Sequence, residues 1–428
     1  MFFSNPKKIS HILSGQAHVV DEVFDVSLRG PGLTSEFGQT TKSLKHNYRK
    51  VRDFGIQRTL VASFCFGDTY TVYDQFVEAL IDEDDDLSGC FASLDIDDFE
   101  QALDRFGTYS IPNAFINVRL ADDSGHVNPA QAQQTMDRLL HVLDRLAQIL
   151  PPKNVLQDGK PVGEIFVNFP DFIEQSSHWD RVYQPFFKAI RGNGIDAICV
   201  ETWRDATRPE CIFEATQYLR AIFTQADMTI LVHAHGGQGL DDACNLAATL
   251  GGANGVWSGL THSSAASGHG GAINYLANLY RYGHGTVASR YHLHRASQIV
   301  YALNAADFAC TRALPDDLPM FGRKAYTRSA SAPGRPVDLP PAVIGAVETT
   351  RFVPLQSDVH CVRRRLLEVG YPTATTADAQ AVIDFTHEIL LEDIDYDVDS
   401  RINFNSPDFL DAIMQSRQVL GVSKTRVA

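Results

Sequence analysis

Two histidines separated by one residue end an apolar stretch of the sequence. His233 and His235 close the segment MTILVHAH (228–235), whose composition is typical of a buried β-strand. Residues i and i+2 of a strand point to the same side, so the two imidazoles can chelate a divalent metal. Hydrogen-bonded histidines on a polar rim are the alternative, and the spacing alone therefore favours a metal site only weakly.

Polar residues also stand at the ends of other apolar segments. Arg29 could hold a carboxylate or an enolate through two parallel hydrogen bonds, or it could form a structural ion pair with Asp25 or Glu201. His269 lies in GHGG (268–271), where free backbone N–H groups ahead of a helix could bind an anion, although the glycines could also serve the turn alone. The full set comprises Asp25, Arg29, Asn168, Glu201, Thr202, His233, His235, His262 and His269.

The elements that must position these residues are strands alternating with helices. Asn128 and Pro129 cap a helix with apolar residues at helical spacing, which Pro151 and Pro152 end. Such βα units predict a parallel sheet, and eight of them predict a (β/α)8 TIM barrel over residues 1–312, whose active site lies where the strands end. The predicted strands are 22–29, 59–66, 90–94, 113–120, 163–169, 195–201, 228–235 and 254–260.

Beyond the barrel the composition changes. Prolines and basic residues, among them Arg328, punctuate residues 313–345, which we expect to form an extended linker arm. Helical patterns at 359–370 and 376–393 predict a small helical C-terminal subdomain over 346–428.

Charge and composition limit the partners and the compartment. The net charge of −15 argues against nucleic acid or an anionic membrane as the main partner. No apolar segment has the length of a membrane span or of a signal peptide, so we expect a soluble, cytoplasmic protein. Seven cysteines without a CxxC pair indicate neither a disulfide framework nor a zinc–thiolate site.

Several motifs, in consistent order, resemble those of a known superfamily, the DRE-TIM metallolyases. DVSLRGPG (25–32) resembles the D-T-T-L-R-D-G signature of their first strand, and VHAHGGQGL (232–240) resembles their H-x-H segment. AASGHGGAI (265–273) resembles their closing A-G-N loop. LPMFGRKAYTRSASAPG (318–334) and SDVHCVRRRLLEVGY (357–371) are similar to the C-terminal segments of the isopropylmalate and homocitrate synthases.

The resemblance implies roles for individual residues. Arg29 matches the arginine that polarises the substrate carbonyl, His233 and His235 match the metal-binding histidines, and Thr202 matches a threonine that binds the oxo-acid carboxylate. Three positions depart from the family pattern. Gly30 replaces the metal-binding Asp, His269 replaces an Asn near the metal, and Arg328 stands where relatives carry a catalytic His.

Because Gly30 cannot ligate a metal, another residue must complete the site or the metal has been lost. We expect His269 as the third ligand, with Glu201 second and Asp25 third, and a site of three imidazoles would favour zinc or a late transition metal. We expect Arg29 and Glu201 to act in catalysis, and Arg29, Thr202 and Arg328 to bind substrate.

The resemblance implies a divergent enzyme of the isopropylmalate/homocitrate synthase type, suited to a specialised pathway. Such an enzyme deprotonates the methyl of an acyl-CoA and adds that carbon to a 2-oxo acid in a Claisen-type condensation. The alternatives are a retro-aldol or retro-Claisen lyase on the same barrel, and a catalytically degenerate barrel that binds a ligand. We also expect a homodimer in which the arm around 315–345 reaches the mouth of the partner's barrel.

Overall fold

The computed structural model describes most of the chain outside the predicted arm. Of residues 327–328, 349 and 417–418 it describes the backbone alone. The described residues are 6–29, 38–122, 125–156, 158–202, 207–224, 228–236, 239–260, 262, 268–296, 299, 302–303, 327–328, 349–355, 357–392 and 402–418.

Eight parallel strands close into a barrel, which confirms the predicted fold class. Each predicted strand is present. Most are shorter than predicted, and Arg29 and His235 follow the ends of their strands. In chain order the barrel strands are β1 (Glu22–Asp25), β2 (Arg58–Ser63), β3 (Cys90–Asp95), β4 (Asn113–Asn117), β7 (Ile165–Phe169), β8 (Ala197–Glu201), β9 (Thr229–His233) and β10 (Gly255–Ser258), with β10 pairing to β1. Two small sheets, β5 (Asn154–Val155) with β6 (Pro161–Val162) and β11 (Thr327–Arg328) with β12 (Thr349–Thr350), lie outside the barrel.

Helices connect the strands and follow the barrel. The helix predicted after Asn128 is confirmed, because the Asn128 side chain accepts a hydrogen bond from the backbone N–H of Ala130 and Pro129 occupies the first turn. The helices are α1 (Pro6–Leu13), α2 (Thr41–Asp53), α3 (Val72–Asp82), α4 (Glu100–Tyr109), α5 (Pro129–Ile149), α6 (Gln184–Ile190), α7 (Pro209–Ile222), α8 (Asp241–Gly251), α9 (Ala272–Arg281), α10 (Val287–Arg290), α11 (Val359–Glu368), α12 (Thr376–Leu391) and α13 (Pro407–Gln418).

The barrel interior is a packed core dominated by aromatic rings. Phe24 lies in its centre, with ring centroids 4.9 Å from Phe91, 5.2 Å from Phe115 and 5.1 Å from Phe166. Trp257 closes this layer at 4.7 Å from Phe115. Because successive strand residues alternate between the interior and the helix layer, the inward residue two positions after each core residue reaches the C-terminal mouth.

The predicted C-terminal helical region is present and packs against the barrel. The patterns at 359–370 and 376–393 correspond to α11 and α12, and the Gln75 side chain of α3 donates to the carbonyl of Leu391 in α12. The predicted arm lies outside the described residues except at β11. Among the described residues, no helix is both long enough and apolar enough to cross a membrane.

Candidate active site

Four polar side chains from neighbouring strands face the mouth of the barrel. Each of the four follows an interior core residue by two positions. These core residues, in chain order, are Phe115, Phe166, Cys199 and Leu231. The strand alternation therefore turns all four toward the barrel axis. The four mouth residues are Asn117 of β4, Asn168 of β7, Glu201 of β8 and His233 of β9.

Three side chains at this mouth can share one metal ion. One ligand atom each of Glu201, His233 and His235 lie within 4.8 Å of one another. Oε1 of Glu201 lies 3.3 Å from Nε2 of His235. Two histidines and one carboxylate are a common ligand set of catalytic zinc sites. The donor set therefore fits a divalent transition metal.

The hydrogen bond of His233 leaves the correct nitrogen free for a metal. Nδ1 of His233 lies 2.7 Å from the backbone carbonyl of Trp257, and a carbonyl can only accept, so Nδ1 carries the proton. Burial, and then the neighbouring His235, lower the pKa of His233 to about 4. The ring is therefore neutral at physiological pH, with the Nε2 lone pair available.

Glu201 is held as a carboxylate. Burial acts to raise its pKa, but the hydrogen bond and charge of His235, together with His233 and the Asn168 amide, outweigh burial and lower the pKa to about 2. Nδ2 of Asn168 donates to Oε2 of Glu201 at 3.1 Å, which leaves Oε1 directed at His235. The site therefore offers one carboxylate and, in His233, one neutral imidazole, with His235 as the third possible ligand.

His269 lies beside the site, but both of its ring nitrogens already have partners. The His269 ring is 5.0 Å from that of His233. Its Nδ1 lies 3.1 Å from the carbonyl of Gly270, and its Nε2 accepts the backbone N–H of Gly259 at 3.2 Å. With the Nε2 lone pair engaged, this arrangement favours Glu201 over His269 as third ligand. The metal content of a His269→Ala variant decides whether His269 is the third ligand, as the sequence led us to expect.

Arg29 follows β1 and its charge reaches the histidines. The positive charge of Arg29 contributes to the lowered pKa of His233. The Tyr73 hydroxyl donates to the Arg29 carbonyl at 2.9 Å and fixes the backbone there. Nε of Arg29 is buried and has no hydrogen-bond partner among the described residues. Binding of an anionic group by the Arg29 guanidinium stays a prediction, and Gly30 lies outside the described residues.

Thr202 connects the ends of two strands. Its side chain is fully buried, and its hydroxyl accepts the backbone N–H of His235 at 2.9 Å. Its own backbone N–H donates to the carbonyl of His233 at 3.0 Å. These bonds make Thr202 a positioning residue for both histidines, and the predicted contact of Thr202 with a substrate carboxylate stays a prediction.

Other residues predicted at the mouth have different surroundings. Asp25 lies between Phe24 and Val26, which both face the barrel interior, so the Asp25 side chain faces the helix layer. Its Oδ1 accepts from the Ser27 hydroxyl at 2.6 Å. His262 bonds with Asp242, at 3.3 Å. The backbone of Arg328 pairs with Thr350, and its side chain lies outside the described residues.

Asn117 belongs to the mouth and was missed by the sequence analysis. Its Oδ1 accepts from Nδ2 of Asn168 at 3.1 Å, so Asn117, Asn168 and Glu201 form one hydrogen-bonded row. A signal for it exists in the sequence, because Asn117 follows Phe115 at the two-residue spacing of an inward-facing position.

No family model and no curated protein sequence matches this chain. In structure the chain is similar to an HMG-CoA lyase from Acinetobacter baumannii, solved in complex with coenzyme A and 3-methylmalate, at 13% identity and a TM-score of 0.48, covering 67% of this chain and 90% of that one. It is also similar to the HMG-CoA lyase of Bacillus subtilis, at 16% identity and a TM-score of 0.47, over 67% of this chain and 93% of that one.

A third similar structure is the carboxyl transferase domain of Rhizobium etli pyruvate carboxylase with pyruvate. The identity is 13% and the TM-score 0.43, covering 70% of this chain and 50% of that one.

Proposed function

We propose that this protein is a metal-dependent enzyme of carbon–carbon bond chemistry, which condenses an acyl-CoA with a 2-oxo acid. The observation that carries the proposal is the group of Glu201, His233 and His235 at the barrel mouth, with the charge of Arg29 close enough to act on His233. The motif resemblance to the isopropylmalate and homocitrate synthases supplies the reaction type. A specialised pathway suits the departures at Gly30 and Arg328.

The metal site fits a divalent ion held by Glu201, His233 and His235. A metal bound there would polarise the carbonyl of an oxo acid. The histidines are prepared for this role, because the Trp257 carbonyl sets the tautomer of His233 and the Thr202 hydroxyl holds the backbone of His235. The ligand set of two imidazoles and one carboxylate favours zinc or another late transition metal.

In this proposal Arg29 supplies the positively charged contact to the substrate. A guanidinium can hold a carboxylate or a developing enolate through two parallel hydrogen bonds, and the unpartnered Nε of Arg29 leaves donor capacity for such an anion. Glu201 remains ionised and orients the groups around it. Thr202 and Arg328 are proposed to bind the substrate. The same constellation serves the reverse of the bond-forming step, cleavage of the hydroxyacyl-CoA to acyl-CoA and 2-oxo acid, by microscopic reversibility.

Addition of the acyl-CoA carbon to the oxo acid gives a hydroxy acid that still carries the CoA thioester, and hydrolysis of this thioester by water releases free CoA. Free CoA therefore provides the simplest test of the proposal. Purified protein is incubated with acetyl-CoA and one member of a panel of 2-oxo acids, and free thiol is followed with a thiol-reactive dye. We expect thiol release that depends on both substrates, that chelators abolish and that His233→Ala removes. His126→Ala, which changes an exposed histidine, is the matched control and should keep the activity. Chelator-resistant activity, or thiol release without an oxo acid, would contradict the proposal.

A further inference from the structure

The side-chain amide of Asn168 is only partly hydrogen-bonded: Nδ2 has partners, whereas Oδ1 has none among the described residues. Its Nδ2 donates to Oδ1 of Asn117 and to Oε2 of Glu201, each at 3.1 Å. The carboxylate of Glu201 can only accept, so the amide is oriented with its nitrogen toward Glu201. Oδ1 of Asn168 is therefore an acceptor, and it has no hydrogen-bond partner among the described residues although the residue is fully buried.

Buried acceptors in native proteins are almost always paired, which makes this atom a marker for a bound group. Asn168 follows the core residue Phe166 by two positions and so faces the barrel axis at the mouth, between Asn117 and Glu201. A molecule that enters the mouth can therefore donate the hydrogen bond that Oδ1 lacks among the described residues.

The chemistry of that molecule follows from its surroundings. On this side of the mouth the bound group meets the carbonyl oxygen of Asn168 next to the carboxylate of Glu201, and both are acceptors. A keto or carboxylate oxygen would place acceptor against acceptor at this point, whereas a hydroxyl can donate. The anionic end of the same molecule has the guanidinium of Arg29 as its partner.

We propose that Asn168 is a substrate-binding residue that accepts a hydrogen bond from the hydroxyl of a hydroxy acid, and that it makes the site prefer the hydroxy acid to the matching 2-oxo acid. This inference rests on the proposed function, which places an organic acid at this mouth. In the condensation the oxo carbonyl becomes this hydroxyl, so Asn168 binds the product. In the cleavage direction it binds the substrate.

The test uses three acids with one carbon skeleton, namely 2-hydroxyisovalerate, 2-oxoisovalerate and isovalerate. Their affinities for zinc-loaded protein are measured by calorimetry, with metal content verified for each variant because Asn168 also contacts Glu201. We expect the wild type to bind the hydroxy acid about tenfold more tightly than either other acid. Asn168→Leu should reduce that preference to less than about twofold. Asn193→Leu, which makes the same substitution at an exposed asparagine ahead of β8, should retain it.

The outcomes separate this inference from the proposed function. If metal and acids bind but the wild type shows no preference for the hydroxyl, or Asn168→Leu keeps the preference, the inference is wrong and the proposed function stands. If wild-type protein binds neither zinc nor any of the acids, both are wrong. Asn168→Ala provides the same comparison where the leucine variant does not fold, as judged by circular dichroism.

Discussion

Nδ1 of His233 donates to the backbone carbonyl of Trp257 across 2.7 Å, and the two rings lie 4.6 Å apart. Trp257 is part of the interior core, so the core itself holds the imidazole and sets its tautomer. A histidine fixed in this way presents its Nε2 lone pair to the mouth at no further cost in side-chain freedom. The pair thus links the packing of the barrel to the chemistry of its open end.

The internal hydrogen bonds of His269 lead to the first prediction. Because its Nε2 accepts from Gly259, His269→Ala should leave the stoichiometry of bound metal unchanged while lowering stability by about 1–3 kcal/mol through the unpaired Gly259 N–H. His233→Ala should abolish metal binding. Metal content by mass spectrometry, with thermal unfolding, checks both variants. Loss of metal from His269→Ala would restore His269 as the third ligand.

Arg29 is the subject of the second prediction. Arg29→Lys keeps the positive charge but loses the planar pair of donors, so turnover should fall more than about tenfold while the fold is retained. The measurement is steady-state kinetics of thiol release, with circular dichroism as the control for folding. Turnover close to that of the wild type would mean that Arg29 serves only as an ion-pair partner.

Asp25 makes a pH-dependent contribution to stability. Burial raises the pKa of Asp25 to about 7, against hydrogen bonds from Ser27 that act to lower it. The native state therefore keeps a proton that the unfolded state loses near pH 4, and the free energy of unfolding falls as the pH rises from about 4 to about 7.

Asp25→Asn removes the free-energy cost of burying an ionised carboxylate and keeps the size of the side chain. At pH 8 the variant should be more stable than the wild type by up to about 4 kcal/mol, and the difference should shrink toward pH 4. Denaturant unfolding at a series of pH values measures this difference in the free energy of unfolding. Asp53→Asn, at a half-exposed position, is the control and should show no such trend. A difference independent of pH would show that Asp25 is ionised in the native protein.

The fourth prediction concerns assembly. We expect a homodimer, because a short segment interrupted by six prolines, as over 313–345, is expected to be extended and to dock on another surface. Light scattering at micromolar concentration should give twice the mass of 47.3 kDa. A monomer under these conditions would contradict the prediction that the arm reaches a partner's barrel.

Most of the barrel could be predicted from the sequence because apolar segments of strand length alternate with capped helices. His233 and Glu201 could be placed for the same reason, since each ends such a segment. The sequence could not decide whether Glu201 or His269 is the third metal ligand. That choice depends on the backbone N–H of Gly259, whose position is set by the folding of a loop. Asp25 was wrongly directed at the mouth, although the inward-facing Phe24 and Val26 beside it already indicate the opposite side.

The central claim is that Glu201, His233 and His235 together hold one divalent metal. The most direct measurement is the zinc affinity of wild-type protein and of Glu201→Gln, by competition with a chromogenic chelator. Asp242→Asn serves as a matched carboxylate-to-amide control. We predict one zinc per chain for the wild type and for Asp242→Asn. For Glu201→Gln, which loses the negative ligand, we predict a zinc affinity weaker by about 100-fold or more. Equal zinc affinity in Glu201→Gln and the wild type, or a wild-type protein that binds no divalent metal, would contradict it.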